Sequence, residues 1–246
     1  MAWRLTIPPA RRERLADFRV AILPPVEWVP LDSEILAAQD ELAARLGRLG
    51  CQVKAVQPEG FGDHRKHYEL YLMLLTAMTS ARSPEDVRRQ RVDVLRTRDD
   101  PWSAAQQRGL TGAAPEYIVW HAQREQYRAA WRAFFREWDV LVAPAWFGPA
   151  FPHRHQPIPA TPESIRSTVE INGRAVPYEL GLFYPAVSTV AGQPATAFPR
   201  GLTKAGLPIG LQAIGPYLED RTPIRFAALV AAELGGFTRP PGYDAD

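Results

Sequence analysis

Proline is the feature that most limits how this chain can fold. The 246 residues include 24 prolines, and half of them lie between Pro144 and Pro216. Proline lacks a backbone N–H and clashes with the preceding helical turn, so it disrupts helix interiors and central strands. The sequence therefore predicts loops, edge positions and short strands in this region. The helices are expected elsewhere, mainly in the first half of the chain.

A strand–helix–strand unit is predicted near the start of the chain. Residues 19–23 form a short apolar run that two prolines close, which is typical of a buried strand. Asp32 and Ser33 then offer an N-cap, apolar residues recur at helical spacing, and Gly50 provides a stop. A second strand is predicted over residues 51–56. Two strands joined in this way are expected to lie parallel.

The rest of the pattern completes a single α/β domain over residues 1–246, with a mixed β-sheet flanked by helices. A nearly all-apolar helix is predicted over 68–80 and must be covered by other elements. The remaining predicted elements are a helix from Ser83, a loop over 97–114, a long aromatic-rich helix from 114 to Trp138, strands over 140–144, 195–198 and 208–214, a closing helix over 222–234 with Thr222 as N-cap, and a loose tail over 237–246.

Composition narrows the classes of protein that fit this sequence. The 29 basic and 27 acidic residues leave a net charge of +2 without a basic stripe, so no nucleic-acid partner is expected. The single cysteine, Cys51, excludes a disulfide framework. No apolar stretch reaches the ~18 residues that a membrane span needs, and the first fifteen residues lack the apolar core of a secretion signal. A cytoplasmic protein with no membrane partner is predicted.

The sequence contains no self-evident nucleophile. A G-x-S-x-G elbow is absent, and none of the seven serines lies in a glycine-rich turn. Ser188 has the most suggestive context, but a hydrogen-bonding serine inside the core explains it as well. Cys51 fits a buried, inert thiol beside a strand. No residue is therefore assigned a catalytic role from its local pattern.

Metal and cofactor motifs are also weak. His64 and His67 are three residues apart, and His153 and His155 flank Arg154, so either pair could supply two metal ligands. Two histidines do not make a site, and no HExxH or Cys–His cluster accompanies them. Phosphate-binding glycine loops are missing. The acidic pairs 99–100 and 219–220 suit a turn and a helix start. No metal and no cofactor are predicted.

Four segments together resemble one enzyme family. Residues 137–144 read as an aspartate, an apolar strand and a proline. Residues 184–195 end in Ala-Gly-Gln-Pro-Ala, residues 198–201 read Phe-Pro-Arg-Gly, and residues 206–215 read Gly-Leu-Pro-Ile-Gly-Leu-Gln-Ala-Ile-Gly. This order resembles the C-terminal signature of the amidase signature family, and the glycine-rich string at 206–212 is its most specific part.

The resemblance implies an amide hydrolase, in some members an esterase, that uses a Ser–cis-Ser–Lys triad. The triad belongs to a glycine- and serine-rich segment that has no counterpart here, and Lys54, Lys66 and Lys204 lie in no matching motif. The chain thus resembles the C-terminal half of an amidase, beginning just past the triad. In the family this half completes the mixed sheet and helps to line the acyl pocket.

By position, the loop after the strand at 140–144 is the predicted pocket lining. It contributes Ala145, Trp146 and Phe147, and Tyr184 is a further candidate for contact with a small amide or ester substrate. The alternative for Trp146 and Phe147 is ordinary packing of loop aromatics.

Three hypotheses follow from the sequence. The chain is part of an amidase that needs a second chain to supply the triad, or it is a stand-alone esterase or amidase with a different nucleophile, or it is a non-catalytic binding or assembly module. Half of a mixed sheet would expose an apolar edge, so self-association or a protein partner is expected. The apolar helix at 68–80 is expected to be the most exposed element.

Overall fold

The computed structural model describes residues 6–152, 167–240 and 242–243, and its centre is a five-stranded mixed sheet. Its strands are β1 (Arg19–Ile22), β2 (Gln52–Ala55), β3 (Val140–Pro144), β6 (Ala195–Leu202) and β7 (Pro208–Ile214). They lie in the order β2-β1-β3-β7-β6. β1 pairs parallel with β2 and β3, whereas β7 pairs antiparallel with β3 and β6. A separate hairpin consists of β4 (Thr168–Ile171) and β5 (Arg174–Pro177).

Helices cover both faces of this sheet. Within the described residues they are α1 (Ser33–Arg48), α2 (Arg65–Ser80), α3 (Glu85–Arg96), α4 (Pro101–Thr111), α5 (Ala114–Glu137), α6 (Phe183–Thr189) and α7 (Arg221–Leu234). Two short 3-10 helices cover Leu15–Asp17 and Tyr178–Leu182. The predicted mixed α/β sheet flanked by helices is therefore confirmed. None of the helices in the described ranges is both long and apolar enough to cross a membrane.

Alternating apolar residues on the central strands create two separate cores. On β1, Val20 and Ile22 pack with α1 and α7, whereas Ala21 faces the larger core that contains α2 and α5. On β3, Val142 packs in the core with α1 and α7, whereas Leu141 faces the larger core. Side chains alternate between the faces of a strand, so both faces of β1 and β3 are buried. This explains the continuous apolar runs in the sequence.

The predicted strand–helix–strand unit is present with parallel strands. Asp32 caps α1, and its Oδ1 accepts a hydrogen bond of 2.8 Å from the backbone N–H of Glu34. This N-cap satisfies one of the backbone donors that every helix leaves free at its start.

The apolar helix α2 is covered by this chain itself, so the expectation that it would be the most exposed element is wrong. Tyr68, Leu70 and Leu72 are all buried. Helix α4 packs closely on α2. The two helices approach so closely that a β-carbon added to Gly109 would lie 2.7 Å from the Met73 carbonyl oxygen. The exposed residues of α2 lie at its two ends, and Met78 in the last turn is 68% exposed.

Two predictions about helix positions are wrong for identifiable reasons. Within the predicted loop at 97–114, residues 101–111 form α4, and Asp100 caps this helix by accepting from the backbone N–H groups of Trp102 and Ser103, each at 2.9 Å. Pro101 occupies the first helical position, where its missing N–H is harmless. The proline-rich region does contain a helix, α6. Pro185 lies in its first turn, where no intrahelical donor is lost.

The predicted N-cap of the last helix is also wrong. Asp220 precedes α7, and Thr222 lies inside the helix, fully buried. Its hydroxyl accepts the backbone N–H of Arg11 at 3.2 Å instead. This contact helps to attach the N-terminal segment to α7.

Candidate functional site

The loop after β3 lines an open groove of about 390 Å³. The groove lies at the carboxyl end of β3, beside the start of the antiparallel neighbour β7. Ligands of α/β proteins commonly bind outside the carboxyl ends of strands. The groove is lined by Ala145, Trp146, Gly148, Pro149, Ala150, Phe151, Tyr178, Pro208 and Gly210. Its position and its apolar walls make it the candidate substrate site.

The sheet itself holds the first part of this loop in place. The backbone N–H of Ala145 donates to the carbonyl of Gly210 at 3.1 Å, which continues the β3–β7 ladder by one residue. Further along, Gly148 lies against Ile171 of the β4–β5 hairpin with no room for a β-carbon. The groove loop is therefore fixed at two points.

Three aromatic side chains form one wall of the groove. The ring centroids of Trp146 and Tyr178 are 5.4 Å apart, and those of Phe151 and Tyr178 are 6.0 Å apart. Phe151 and Tyr178 are each 39% exposed. The indole of Trp146 packs directly on Gly181, where a β-carbon would overlap the ring. This wall offers a large apolar surface to the acyl or aryl part of a ligand.

A buried amide connects the groove loop to α6. Nε2 of Gln212 donates to the carbonyls of Pro144 and Tyr184, at 2.9 Å each. A buried mid-strand amide needs hydrogen-bond partners, and here the backbone supplies both acceptors for Nε2. Gln212 therefore fixes the end of β3 relative to α6.

The four predicted substrate-binding residues divide into two pairs. Ala145 and Trp146 line the groove, whereas Phe147 is fully buried beneath it and Tyr184 is only 2% exposed. Burial raises the pKa of the Tyr184 hydroxyl, which has no hydrogen-bond partner among the described residues. Phe147 and Tyr184 are therefore buried residues that do not line the groove.

Sequence reasoning missed Tyr178 and the ionic network beside it. Glu179 follows Tyr178, is 8% exposed and pairs with Arg98, which also pairs with Asp100 at 2.6 Å. Burial raises the pKa of Glu179, and the contact with Arg98 only partly offsets that effect. The network ties the 3-10 helix of the groove to the start of α4. No local pattern reveals it, because Arg98 and Glu179 are far apart in sequence.

The candidate nucleophiles lack activating partners in the described part of the chain. Oγ of Ser188 donates to the Pro185 carbonyl at 3.2 Å, which is a helix-internal contact. Sγ of Cys51 donates to the Leu15 carbonyl at 3.0 Å, and burial raises the pKa of this thiol to about 11. A thiol with such a pKa is not a nucleophile near neutral pH.

The histidine pairs form no metal site in the residues described. His64 and His67 are buried, and burial lowers their pKa values to about 4 and about 3 respectively. Oε1 of Gln57 lies 2.8 Å from Nε2 of His64. Across the described ranges, no group of three or more His, Cys, Asp or Glu side chains could hold a metal ion. His153 and His155 lie outside the described residues.

A larger depression of about 430 Å³ lies between α3 and the end of α4. Its charged side chains include Arg89 and Arg96, which pair with Glu85 and Asp93 on the same helix. Exposed pairs of this kind are typical of a solvated helix face. The depression is lined by α3 and the end of α4 rather than by strand ends, so the groove beside Trp146 is the better candidate.

Comparison with known proteins identifies the family. The Amidase family model matches residues 4–223, so the chain belongs to the amidase family. One relative is the 6-aminohexanoate-cyclic-dimer hydrolase of Paenarthrobacter ureafaciens, 27% identical over 246 residues that include 93% of this chain and 46% of that protein. Another is a subunit of the glutamyl-tRNA(Gln) amidotransferase of Rhizobium etli, 35% identical over 82 residues, covering 32% of this chain and 17% of that protein.

A solved structure shares the fold. A bacterial aryl acylamidase of the amidase signature enzymes matches with a TM-score of 0.64 at 19% identity, over 92% of this chain and 45% of that one. More than nine-tenths of this chain matches the cyclic-dimer hydrolase and the aryl acylamidase, but it spans only about half the length of each. This agrees with the resemblance to a C-terminal half.

Proposed function

We propose that this chain is the substrate-binding half of an amide hydrolase, and that a separate segment or chain supplies the nucleophile. The main support is the aromatic groove at the carboxyl end of β3. The same chain has no activated nucleophile in its described part, because Ser188 and Cys51 lack an activating base there. Membership of the amidase family supports hydrolysis of a C–N bond as the reaction.

The proposal assigns substrate binding to this chain and nucleophilic attack to the triad segment. Ala145, Trp146 and Tyr178 contact the apolar part of a small amide or ester, while Phe147 and Tyr184 support the groove from behind. The Ser–cis-Ser–Lys segment that the family resemblance implies would place its serine at the carbonyl carbon of the bound substrate. Attack forms the acyl-enzyme and releases the amine of an amide or the alcohol of an ester, and water then releases the carboxylic acid.

We further propose that the missing segment comes from a protein partner and that the assembly is cytoplasmic. One relative is named as a subunit of an amidotransferase, which supports a multi-chain arrangement. Self-association is the competing arrangement. Sedimentation of the purified chain distinguishes the two arrangements. A monomer would favour a different protein partner, and a homo-oligomer would favour self-association.

Substrate binding to the groove can be tested without turnover. Saturation-transfer NMR with acetanilide is expected to show contact with the wild-type chain. Trp146→Ala should weaken that contact about tenfold, since it removes one of the three aromatic side chains of the wall. Phe237→Ala is the matched control, because Phe237 is 76% exposed and lies outside the groove. Equal binding by the wild type and Trp146→Ala would overturn the assignment of this groove.

A further inference from the structure

A second groove lies next to the C-terminal end of α6, between α2 and α5. It has a volume of about 300 Å³, and its walls are mostly apolar. They consist of Tyr71, Leu74, Leu75, Met78 and Tyr117, with Thr189 and Val190 at one end and His121 and Arg124 on α5. None of these residues belongs to the groove beside Trp146.

Arg124 gives this groove an uncompensated positive charge. Its Nε donates to the Val190 carbonyl at 2.6 Å, which fixes the side chain against the end of α6. Within the described residues, no carboxylate forms an ion pair with Arg124. Its neighbour Arg128, one turn further along α5, is different because it pairs with Glu125 at 2.6 Å. The terminal nitrogens of Arg124 therefore have no carboxylate partner among the described residues, and Nη2 lies beside Gly192.

His121 adds a second polar group on the same side of α5. Residues 121 and 124 are three apart, so their side chains are neighbours on the helix surface. Nε2 of His121 is buried and has no hydrogen-bond partner in the described part of the chain. The ring of Tyr117 packs on His121 with centroids 4.5 Å apart, which places the histidine between the apolar wall and the arginine.

We propose that this groove binds the carboxylate of a small amphipathic acid. The carboxylate would accept hydrogen bonds from the terminal nitrogens of Arg124, and the apolar body would lie against Leu74, Leu75 and Met78. A guanidinium fork matches a carboxylate in geometry and charge, and a partly buried guanidinium gains most from an anionic partner. The combination of an apolar wall with one cationic end selects acids over amines and alcohols.

Calorimetric titration with octanoate, octylamine and 1-octanol tests the charge requirement on the full chain. Octanoate is expected to bind at least about tenfold more tightly than either analogue, because only octanoate pairs with the guanidinium. Equal affinity for octanoate and 1-octanol would overturn the proposal and would indicate an apolar surface alone.

Variants of the groove test its location. Arg124→Gln is expected to weaken octanoate binding about tenfold, whereas Arg132→Gln, an exposed arginine on the same helix, should leave it unchanged. Since Arg124→Gln also removes the contact with Val190, Leu75→Trp provides a second variant that fills the groove and keeps that contact. Both groove variants should bind octanoate more weakly than the wild type.

The same titration separates this site from the groove beside Trp146. Trp146→Ala is expected to bind octanoate as the wild type does. If Trp146→Ala lost octanoate binding while Arg124→Gln kept it, the acid would occupy the first groove and the second site would be rejected. The outcome is independent of whether the first groove binds amides.

Discussion

The indole of Trp146 lies directly on the backbone of Gly181, where a β-carbon would overlap the ring. This contact joins two segments that are 35 residues apart in sequence, the loop after β3 and the 3-10 helix at Tyr178–Leu182. Both segments contribute to the aromatic wall, since Tyr178 belongs to that 3-10 helix. The shape of the groove therefore depends on a residue that has no side chain.

Gly181→Ala is expected to displace the indole of Trp146. The added methyl group would cost about 1 to 3 kcal/mol of folding stability and weaken acetanilide binding, because the ring must move out of the wall. Gly47→Ala is the matched control, since nothing lies within 4 Å of a β-carbon at Gly47 in α1. Urea unfolding should show stability that is equal or slightly higher for that variant. Unchanged stability and binding in Gly181→Ala would contradict the described packing.

Asp139 is expected to be a major source of stability that depends on pH. Its carboxylate is fully buried and accepts from Arg19 at 2.8 Å and from Arg12 at 3.1 Å. Burial alone would raise the pKa of Asp139, but the hydrogen bonds from these arginines outweigh that effect and lower it. The resulting stability is present above the ordinary aspartate pKa and is lost as the pH falls through the lowered pKa.

Asp139→Asn tests this directly. The variant should be less stable by about 3 kcal/mol at pH 7, because it leaves two arginines without their carboxylate partner. Its stability should also fall less than that of the wild type between pH 4 and pH 2. Asp17→Asn is the control, since Asp17 forms an exposed pair with Arg14. If stability falls equally with pH for the wild type and Asp139→Asn, the pKa of Asp139 is not lowered by its arginine partners.

His67 should make the fold sensitive to mild acid. Burial, with a smaller contribution from nearby His64, lowers the pKa of His67 to about 3. The unfolded chain binds a proton below the ordinary histidine pKa, so stability is present above about pH 6.5 and is lost progressively as the pH falls toward 3. Both ring nitrogens are buried without hydrogen-bond partners in the described residues.

The variant His67→Leu isolates this contribution. Between pH 7 and pH 5, wild-type stability should fall by about 2 kcal/mol more than that of the variant, whatever the offset between them at pH 7. Thermal unfolding monitored by circular dichroism at both pH values gives the comparison. If the two proteins lose equal stability over this interval, His67 is not buried as described.

The local parts of the fold were predictable from the sequence, and the long-range parts of the site were not. The strands at 140–144 and 208–214 and the helix capped by Asp32 follow from short patterns of apolar, capping and turn residues. The helix at Pro101–Thr111 was missed because Asp100 and Pro101 were interpreted as a turn, although the same pair also starts a helix.

The candidate site was likewise predicted only in its local part. Ala145 and Trp146 were predicted from the family resemblance together with their position after a buried strand, and both line the groove. Tyr178 was missed, since the 3-10 helix is held at the groove by long-range contacts such as the packing of Gly181 on Trp146 and the pairing of Glu179 with Arg98. Such contacts depend on residues distant in sequence, and no local pattern encodes them.

We propose that this chain binds substrate and supplies no nucleophile of its own. The most direct measurement is hydrolysis of a panel of aryl amides and short aryl esters by the purified 246-residue chain, beside its Ser188→Ala and Cys51→Ala variants. We expect no turnover above the buffer rate for any of the three proteins. Turnover by the wild type that either substitution abolishes would show that the chain has a nucleophile, and would contradict the account.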